Sequence, residues 1–430
     1  MPRTPGSTDS SHSATLITRR RFLYGAVGVG IAATAAVGGA IAFTQSTQAN
    51  EVNEDLAVLE VPTDAVSTSD ACVEIEDTAS SVSLIGNFEL PYGTLIWSNS
   101  DSLAACLLPT TESARPLAQV SLLSLESGEN RVILEEAVGQ AEGFDIYDVR
   151  ASDQGLIWTE ANVLDGIWHI YTASYNETGL GSPTLVDEGD AENWETPTIA
   201  AVGSFAFWQV LPALGGSKTR ESSLLKRIKF GTGSDAETIY TSVGRMSTAP
   251  YPLADSLVIT PRADSTTINY QLTLIDAKSG DVLDKVVLPT SMKPLEAGYG
   301  TNGFTFSFDA WYAYGDGIAS IGTYTPAEAH GTEDYNNLPW FAFSRTPTAA
   351  PAWCNGWFIV KSTRAVCGVD IANKQYFALP VESGCDDYGD YLATTGSTSK
   401  FVTFTNVDDT AVDGTRKHYC LVRVWSPVVS

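Results

Sequence analysis

The chain has 430 residues, a formal net charge of −26 and an apolar fraction of 43 %. That apolar fraction is ample for a packed core and excludes a disordered chain. The acidity excludes a nucleic-acid partner: phosphate binding needs clustered cations, and the 25 Lys and Arg residues are scattered.

The N-terminal stretch reads as an address. Thr18-Arg19-Arg20-Arg21-Phe22-Leu23 matches the twin-arginine consensus, with a polar leader before it and an uncharged Gly/Ala-rich stretch from Tyr24 to Phe43 after it. That stretch is long enough to span a bilayer but only weakly apolar. Thr47-Gln48-Ala49 supplies a small-x-small cleavage site, and no Cys follows until Cys72, which argues against a lipoprotein. Residues 1–49 are therefore expected to be a twin-arginine signal peptide, either cleaved or retained as a membrane anchor through residues 24–43. The twin-arginine translocase is the expected partner during export, and the expected location is extracytoplasmic, in the cell envelope or secreted. Residues 50–70 are acidic, Ser/Thr-rich and contain Pro62, as a flexible linker would. The folded domain is expected over residues 71–430.

Two series of signals repeat along that domain. The first is a Gly, Asp, Asn or Ser turn followed by β-branched and aromatic residues. It starts at Gly93, Gly155, Gly203, Asp255, Asp316, Asn355 and Ser399. The second is a turn after a strand-like run, at Ser127-Gly128, Thr178-Gly179, Gly231-Thr232-Gly233, Ser279-Gly280 and Asn373-Lys374. The last interval is about twice the others, so one unit has lost its turn, and an insertion between Thr325 and Asn337 accounts for it. Two series in phase at about 48 residues are the pattern of four-stranded blades, whereas an array of β-sandwiches repeats at about 100 residues. The fold predicted is all-β, a single β-propeller of seven four-stranded blades. The first series marks the second strand of each blade.

The final unit ends at strands around Lys400–Thr405 and His418–Trp425, with no room for a fourth. A strand from the N-terminal side must close the ring, and Ala71 to Glu76 is the candidate. That closure would set Cys72 beside Cys420, within reach of a disulfide. The six cysteines lack any Cys-x-x-Cys pair, which argues against zinc.

Pro197 to Trp208 and Pro250 to Ile259 resemble blades of the TolB-like propeller superfamily, in which the first strand begins near Pro and turns through a Pro-Asp-Gly-like corner. The resemblance implies the propeller fold and extracytoplasmic scaffolding or binding, and carries over no functional residue. Ala151 to Trp158 resembles a sialidase Asp box, but it stands alone and at a turn between the wrong strands, and a Gly turn entering a Trp-containing strand explains it better.

Catalytic signals are weak. No Gly-x-Ser-x-Gly elbow is present. His12 lies in the leader, and His169, His330 and His418 are dispersed, with no close pair. The acidic runs at Asp187–Glu192, Asp386–Asp390 and Asp408–Asp413 miss the regular calcium-loop spacing. No cofactor or metal is therefore expected. The site follows from propeller geometry, since loops entering the innermost strands gather at one end of the channel. Those assigned to this mouth are Asp145, Tyr147, Asn193, Trp194, Glu195, Arg245, Tyr299, Asn302, Asp387 and Tyr388. Aromatic residues interleaved with carboxylates and amides suit a glycan, peptide or protein ligand. The leading expectation is a non-catalytic binding or scaffold module. The alternative is a carbohydrate-active hydrolase or lyase with paired carboxylates at the mouth, such as Glu195 and Asp387, where a separation of about 5 or 6.5–9.5 Å would set the stereochemistry.

Overall fold

The computed structural model describes residues 56–60, 66–67, 72–110, 118–176, 179–233, 235–263, 267–290, 292–300, 303–309, 320–323, 330–336, 340–343, 350–362, 365–370, 372–385, 389–410 and 414–428. The signal and anchor assigned to residues 1–49 lie outside this set. The described strands form seven sheets. Leu95–Trp97, Leu103–Pro109, Ala118–Ser124 and Asn130–Leu134 make the first sheet. Asp145–Ala151, Gly155–Asn162 and Ile167–Asn176 start the second, whose outer side is shared by Gly179–Leu180 and Thr184–Asp190. Thr198–Val202, Phe205–Val210, Ser223–Lys229 and Glu237–Ser242 form the third. The fourth is Tyr251–Pro252, Ser256–Ile259, Gln271–Asp276 and Val282–Val287. The fifth begins with Glu296–Gly300 and Gly303–Asp309, and the sixth with Ala352–Cys354 and Trp357–Lys361.

Each sheet is an antiparallel meander whose two faces meet neighbouring sheets, so its strands read as apolar runs rather than as alternation. Every residue of Gly155–Asn162 is buried. Trp158 lies in the layer between the first and second sheets, and Trp208 in the layer between the second and third. The turn between third and fourth strands needs a left-handed residue, which Gly128 (φ 74°) and Gly280 (φ 82°) supply. This is a β-propeller, built from its own strand order.

The ring closes differently from the sequence expectation. In the last sheet, Tyr391–Leu392, Phe401–Thr410 and Arg416–Pro427 are completed by Val82–Leu90, paired antiparallel from Val82↔Pro427 to Leu90↔Cys420. Gly93 to Trp97 contributes the first strand of its sheet rather than the second, because a tight corner at Pro91–Thr94 leads straight from the closing strand into it. Assigning it one strand too late pushed the closing strand out to Ala71–Glu76. Asp316–Ile321 is displaced the opposite way: its described part falls in Ser320–Thr323, the third strand of the fifth sheet rather than the second.

Val73–Glu74 instead pairs in parallel with Gln375–Ala378 at the outer edge of the sixth sheet. Cys72 consequently packs with Trp353, Phe358 and Val369, whereas Cys420 packs between the first and last sheets, and the proposed disulfide is ruled out by that separation. Part of the expected linker is held as well. Leu59 is buried between the fourth and fifth sheets, with its N–H donating to Val287 O at 2.9 Å. Val66–Ser67 pairs in parallel with Trp340–Phe343, the outer strand of the fifth sheet. Leu59, Val66–Ser67, Val73–Glu74 and Val82–Leu90 thus lie along successive outer edges, covering backbone groups that would otherwise be exposed. The insertion of the fifth unit carries the short helix Gly331–Tyr335, and its Tyr335 is buried in the same layer as Leu59.

Near the axis, segments of different sheets meet directly. Gly396–Thr398 pairs in parallel with Ala352–Cys354 of the sixth sheet. Tyr251 reaches from the fourth sheet past Gly298 of the fifth, where a Cβ would lie 3.1 Å from the ring. Its hydroxyl lies 2.6 Å from Pro351 O and 3.3 Å from Gly396 O, and can donate to either. At the far end Asn99 Nδ2 donates to Ala201 O at 2.9 Å, tying the first sheet to the third. Tyr251→Phe should lower unfolding free energy by about 1–3 kcal/mol, the cost of leaving a buried acceptor unsatisfied. Urea unfolding reads this directly, and an unchanged midpoint would show that the hydroxyl does not brace the axis.

Candidate functional site

The first strands of the sheets run in one direction, so the loops leading into them share one end of the axis, the entry end. Loops joining second and third strands lie at that end too. Around the third sheet the entry loops converge. Asp190 ends its strand and accepts from Asn193 N and Nδ2, both at 2.9 Å, making a tight turn. These bonds, the side-chain one foremost, hold the Asp190 carboxyl below its ordinary pKa. Asn193 Oδ1 accepts from Ser217 Oγ at 2.9 Å, and Asn193 O accepts from Ala213 N at 2.9 Å.

Trp194 packs against the layer containing Ile199 and Trp208, and the Lys218 ammonium sits 4.5 Å from its ring centroid. Such a contact contributes about 0.5–1 kcal/mol at an exposed position. Glu195 N donates to Leu211 O at 2.9 Å, and the Glu195 carboxylate is ion-paired with Arg245. Arg245 Nη1 also donates to Pro212 O at 2.6 Å. The structure thus joins Asn193, Trp194, Glu195 and Arg245 in one contact set and adds Ser217 and Lys218. Sequence reasoning missed those two because their loop joins second and third strands and was not counted with the entry loops.

Asp145 and Tyr147 sit on the first strand of the second sheet. Asp145 Oδ1 accepts from Ala118 N at 3.1 Å and Ile146 N at 2.9 Å, which fixes the strand start. The register shifts between Ile146 and Asp148, so Tyr147 is the extra residue of a bulge. Burial, then the nearby Asp148 charge, pushes the Tyr147 hydroxyl pKa up to about 12. Asp148 pairs with Arg150, whose guanidinium lies 4.4 Å from the centroid of the Trp97 ring.

Tyr299 belongs elsewhere. It is the fourth residue of Glu296–Gly300, toward the opposite end of that strand. Its hydroxyl donates to Asp284 Oδ2 at 3.4 Å, and its ring meets Phe304 edge-on at 4.9 Å. Asn302, Asp387 and Tyr388 lie outside the described residues. Glu296, which heads the same strand as Tyr299, stands at the entry end and was not singled out from the sequence. Ser307 Oγ is 3.5 Å from its carboxylate, and desolvation by burial outweighs that hydrogen bond and raises its pKa well above the ordinary value. Near the last sheet's entry, Asp390 and Arg423 form a buried pair at 2.7 Å, with Thr403 Oγ1 donating to Asp390 at 2.6 Å.

Among the described residues, members of two acidic runs are bonded within the chain. Asp187 accepts from Lys226 Nζ at 2.8 Å and Trp208 Nε1 at 2.7 Å, and Asp408 pairs with Arg416 at 3.2 Å. Among the described residues, no group of three or more His, Cys, Asp or Glu side chains is placed to hold a metal ion.

No protein-family model matches the chain, and no curated protein matches it. Solved structures do share part of its course. A structure from work on two prolyl endopeptidases is 10 % identical, with TM-score 0.47, covering 78 % of this chain and 47 % of that one. An oligogalacturonate lyase in complex with manganese is 11 % identical, with TM-score 0.43, covering 80 % and 94 %. TolB from Acinetobacter baumannii is 12 % identical, with TM-score 0.33, covering 79 % and 80 %. The chain spans about half the length of the peptidases it aligns with.

Glu296 yields a pH test. A carboxyl whose folded pKa is raised above its unfolded value, about 4.3, costs nothing below that pH. It costs stability as pH climbs through the folded value, because the folded state resists losing the proton. Glu296→Gln should therefore raise the melting temperature at neutral pH, with the gain disappearing near pH 4, about where unfolded Glu titrates. Calorimetry at both pH values decides. A variant less stable at neutral pH would mean the carboxylate is stabilising there.

Proposed function

We propose that this protein is an exported cell-envelope β-propeller that acts as a non-catalytic binding module at its entry end. The twin-arginine sequence at Thr18–Leu23 supports export. The observation that carries the binding reading is the contact set of Asn193, Trp194, Glu195, Lys218 and Arg245. The Glu195 carboxylate is neutralised by Arg245, an arrangement suited to holding polar groups rather than to moving protons. A polypeptide fits this set better than a sugar. One side of Trp194 packs on the core and Lys218 covers the ring, which leaves less aromatic face for stacking a pyranose. The mixed donors and acceptors match peptide main chain and charged side chains instead.

The carbohydrate-active alternative keeps one observation in its favour. Glu296, at the entry end, has the raised pKa that a general acid requires. Its proposed pair, Glu195 with Asp387, is weakened by the Arg245 ion pair.

The test is a thermal-shift screen of residues 50–430 against peptides, cell-wall sugars and host glycans. A ligand at 100 times its Kd stabilises the folded state by about 2.7 kcal/mol. A peptide should raise the melting temperature, and Arg245→Ala should abolish that rise. A sugar that both stabilises the protein and is converted to product would replace this reading with the enzymatic one.

A further inference from the structure

Arg262 stands at the entry end without a carboxylate. Arg150, Arg227, Arg245, Arg416 and Arg423 each pair with an Asp or Glu side chain. Arg262, just past the second strand of the fourth sheet, forms no ion pair with any described residue, although the chain carries a formal charge of −26. Its backbone is pinned. Arg262 N donates to the buried Ser242 Oγ at 2.9 Å, and Arg262 pairs with Tyr270.

The side chain is held as well. Its guanidinium carbon lies 5.1 Å from the centroid of the Tyr270 ring. Its stem runs against Gly244, where a Cβ would come 3.2 Å from Arg262 Cδ and 3.3 Å from Nε. Of its nitrogens only Nε is shut away without an acceptor, so the Nη pair is the part that reaches solvent. A planar cation held in this way has already lost much of the freedom that binding would remove.

Printed contacts join Arg262 to the set at the mouth. Gly244 adjoins Arg245, which holds the Glu195 carboxylate and Pro212 O. Thr260, two residues before Arg262, accepts through Oγ1 from Ser247 N at 3.1 Å and Thr248 N at 2.8 Å. Ser247 Oγ in turn donates to Pro294 O at 2.6 Å. These bonds link the entry loops of the third, fourth and fifth sheets. Lys218 and Arg220 stand on the neighbouring loop, with Glu221 after them. From this we infer that Arg262 is the anion-binding residue of the entry end and takes a carboxylate of the bound polypeptide, its C-terminal group or an Asp or Glu side chain. The flat fork of a guanidinium matches a carboxylate through two parallel hydrogen bonds, and an unmodified polypeptide carries hardly any other anion. The assignment deepens the binding reading and rests on it.

The probes are three pools of N-acetylated random hexapeptides. The first lacks Asp and Glu but keeps its C-terminal carboxylate, the second lacks them and is amidated, and the third is amidated but contains them. Each is passed over the immobilised native protein, and retained peptides are quantified by mass spectrometry. The first or third pool should be retained roughly tenfold or more above the second, and which one it is names the source of the carboxylate. Arg262→Gln should lose that preference. Arg262→Lys, which keeps the charge but not the fork, should keep only part of it, and it carries the test if the Gln variant melts early. Asp264 lies outside the described residues, and Asp264→Asn should leave retention unchanged. A tighter Asp264→Asn would show the guanidinium already answered within the chain and would overturn the assignment. Equal retention of all three pools, or an unchanged preference in both Arg262 variants, would overturn it too. So would Arg262-dependent binding of inorganic phosphate as tight as that of the peptides. If amidated peptides bind through Arg245 while Arg262 plays no part, the carboxylate site falls and the mouth stands; if no pool is retained, both fall.

Discussion

The ladder between Val82–Leu90 and Arg416–Pro427 is the interaction on which the rest of this molecule depends. It joins the two ends of the domain in one sheet and so converts a row of meanders into a ring. Without it the last sheet would show an unpaired edge, and the apolar layer between first and last sheets, with Ile96, Val402 and Val422, would open. The loops at the entry end are positioned only because that ring is closed. The segments before the closing strand extend the same device, with Leu59, Val66–Ser67 and Val73–Glu74 on the outer sides of the fourth to sixth sheets.

The axis and the loops around it are built differently. On the axis, backbone and side chains meet directly, with Tyr251 reaching the sixth sheet and Gly396–Thr398 lying alongside it. Glycines at 298 and 300 make this close approach feasible, since a Cβ at Gly300 would come 2.2 Å from Trp353. At the entry end, charged groups are paired across loops, as Glu195 with Arg245 shows, while Asp187 and Lys226 pair between strands. Such pairs contribute little stability where solvent reaches them. Their effect is to fix loop shape.

The period of the repeat and the all-β class were legible because each meander needs turn residues at set positions, and Gly128, Gly231 and Gly280 mark them with positive φ. The phase was not. Gly93 to Trp97 carries the same turn-then-apolar signature as Gly203 to Trp208, yet one heads its sheet and the other lies second. Local sequence cannot separate first from second strands when both are buried on two faces. That single shift accounts for the displaced closing strand and the disulfide drawn to Cys72. Of the mouth, the Asn193–Glu195 loop and Arg245 were legible from loop position alone. Lys218 and Glu296 were not, because their roles arise from contacts between segments distant in sequence. Tyr299 was misplaced because the local sequence does not show that its strand begins at Glu296.

The most direct test of this account compares two shortened chains by circular dichroism and thermal melting. One begins at Asp77 and keeps Val82–Leu90, and the other begins at Pro91 and lacks it. The chain from Asp77 should melt cooperatively, at a temperature lowered by loss of the edge segments before it, while the chain from Pro91 should show no cooperative transition. A Pro91 chain that melts cooperatively at the same temperature as the Asp77 chain would contradict the closure on which the fold and its entry end rest.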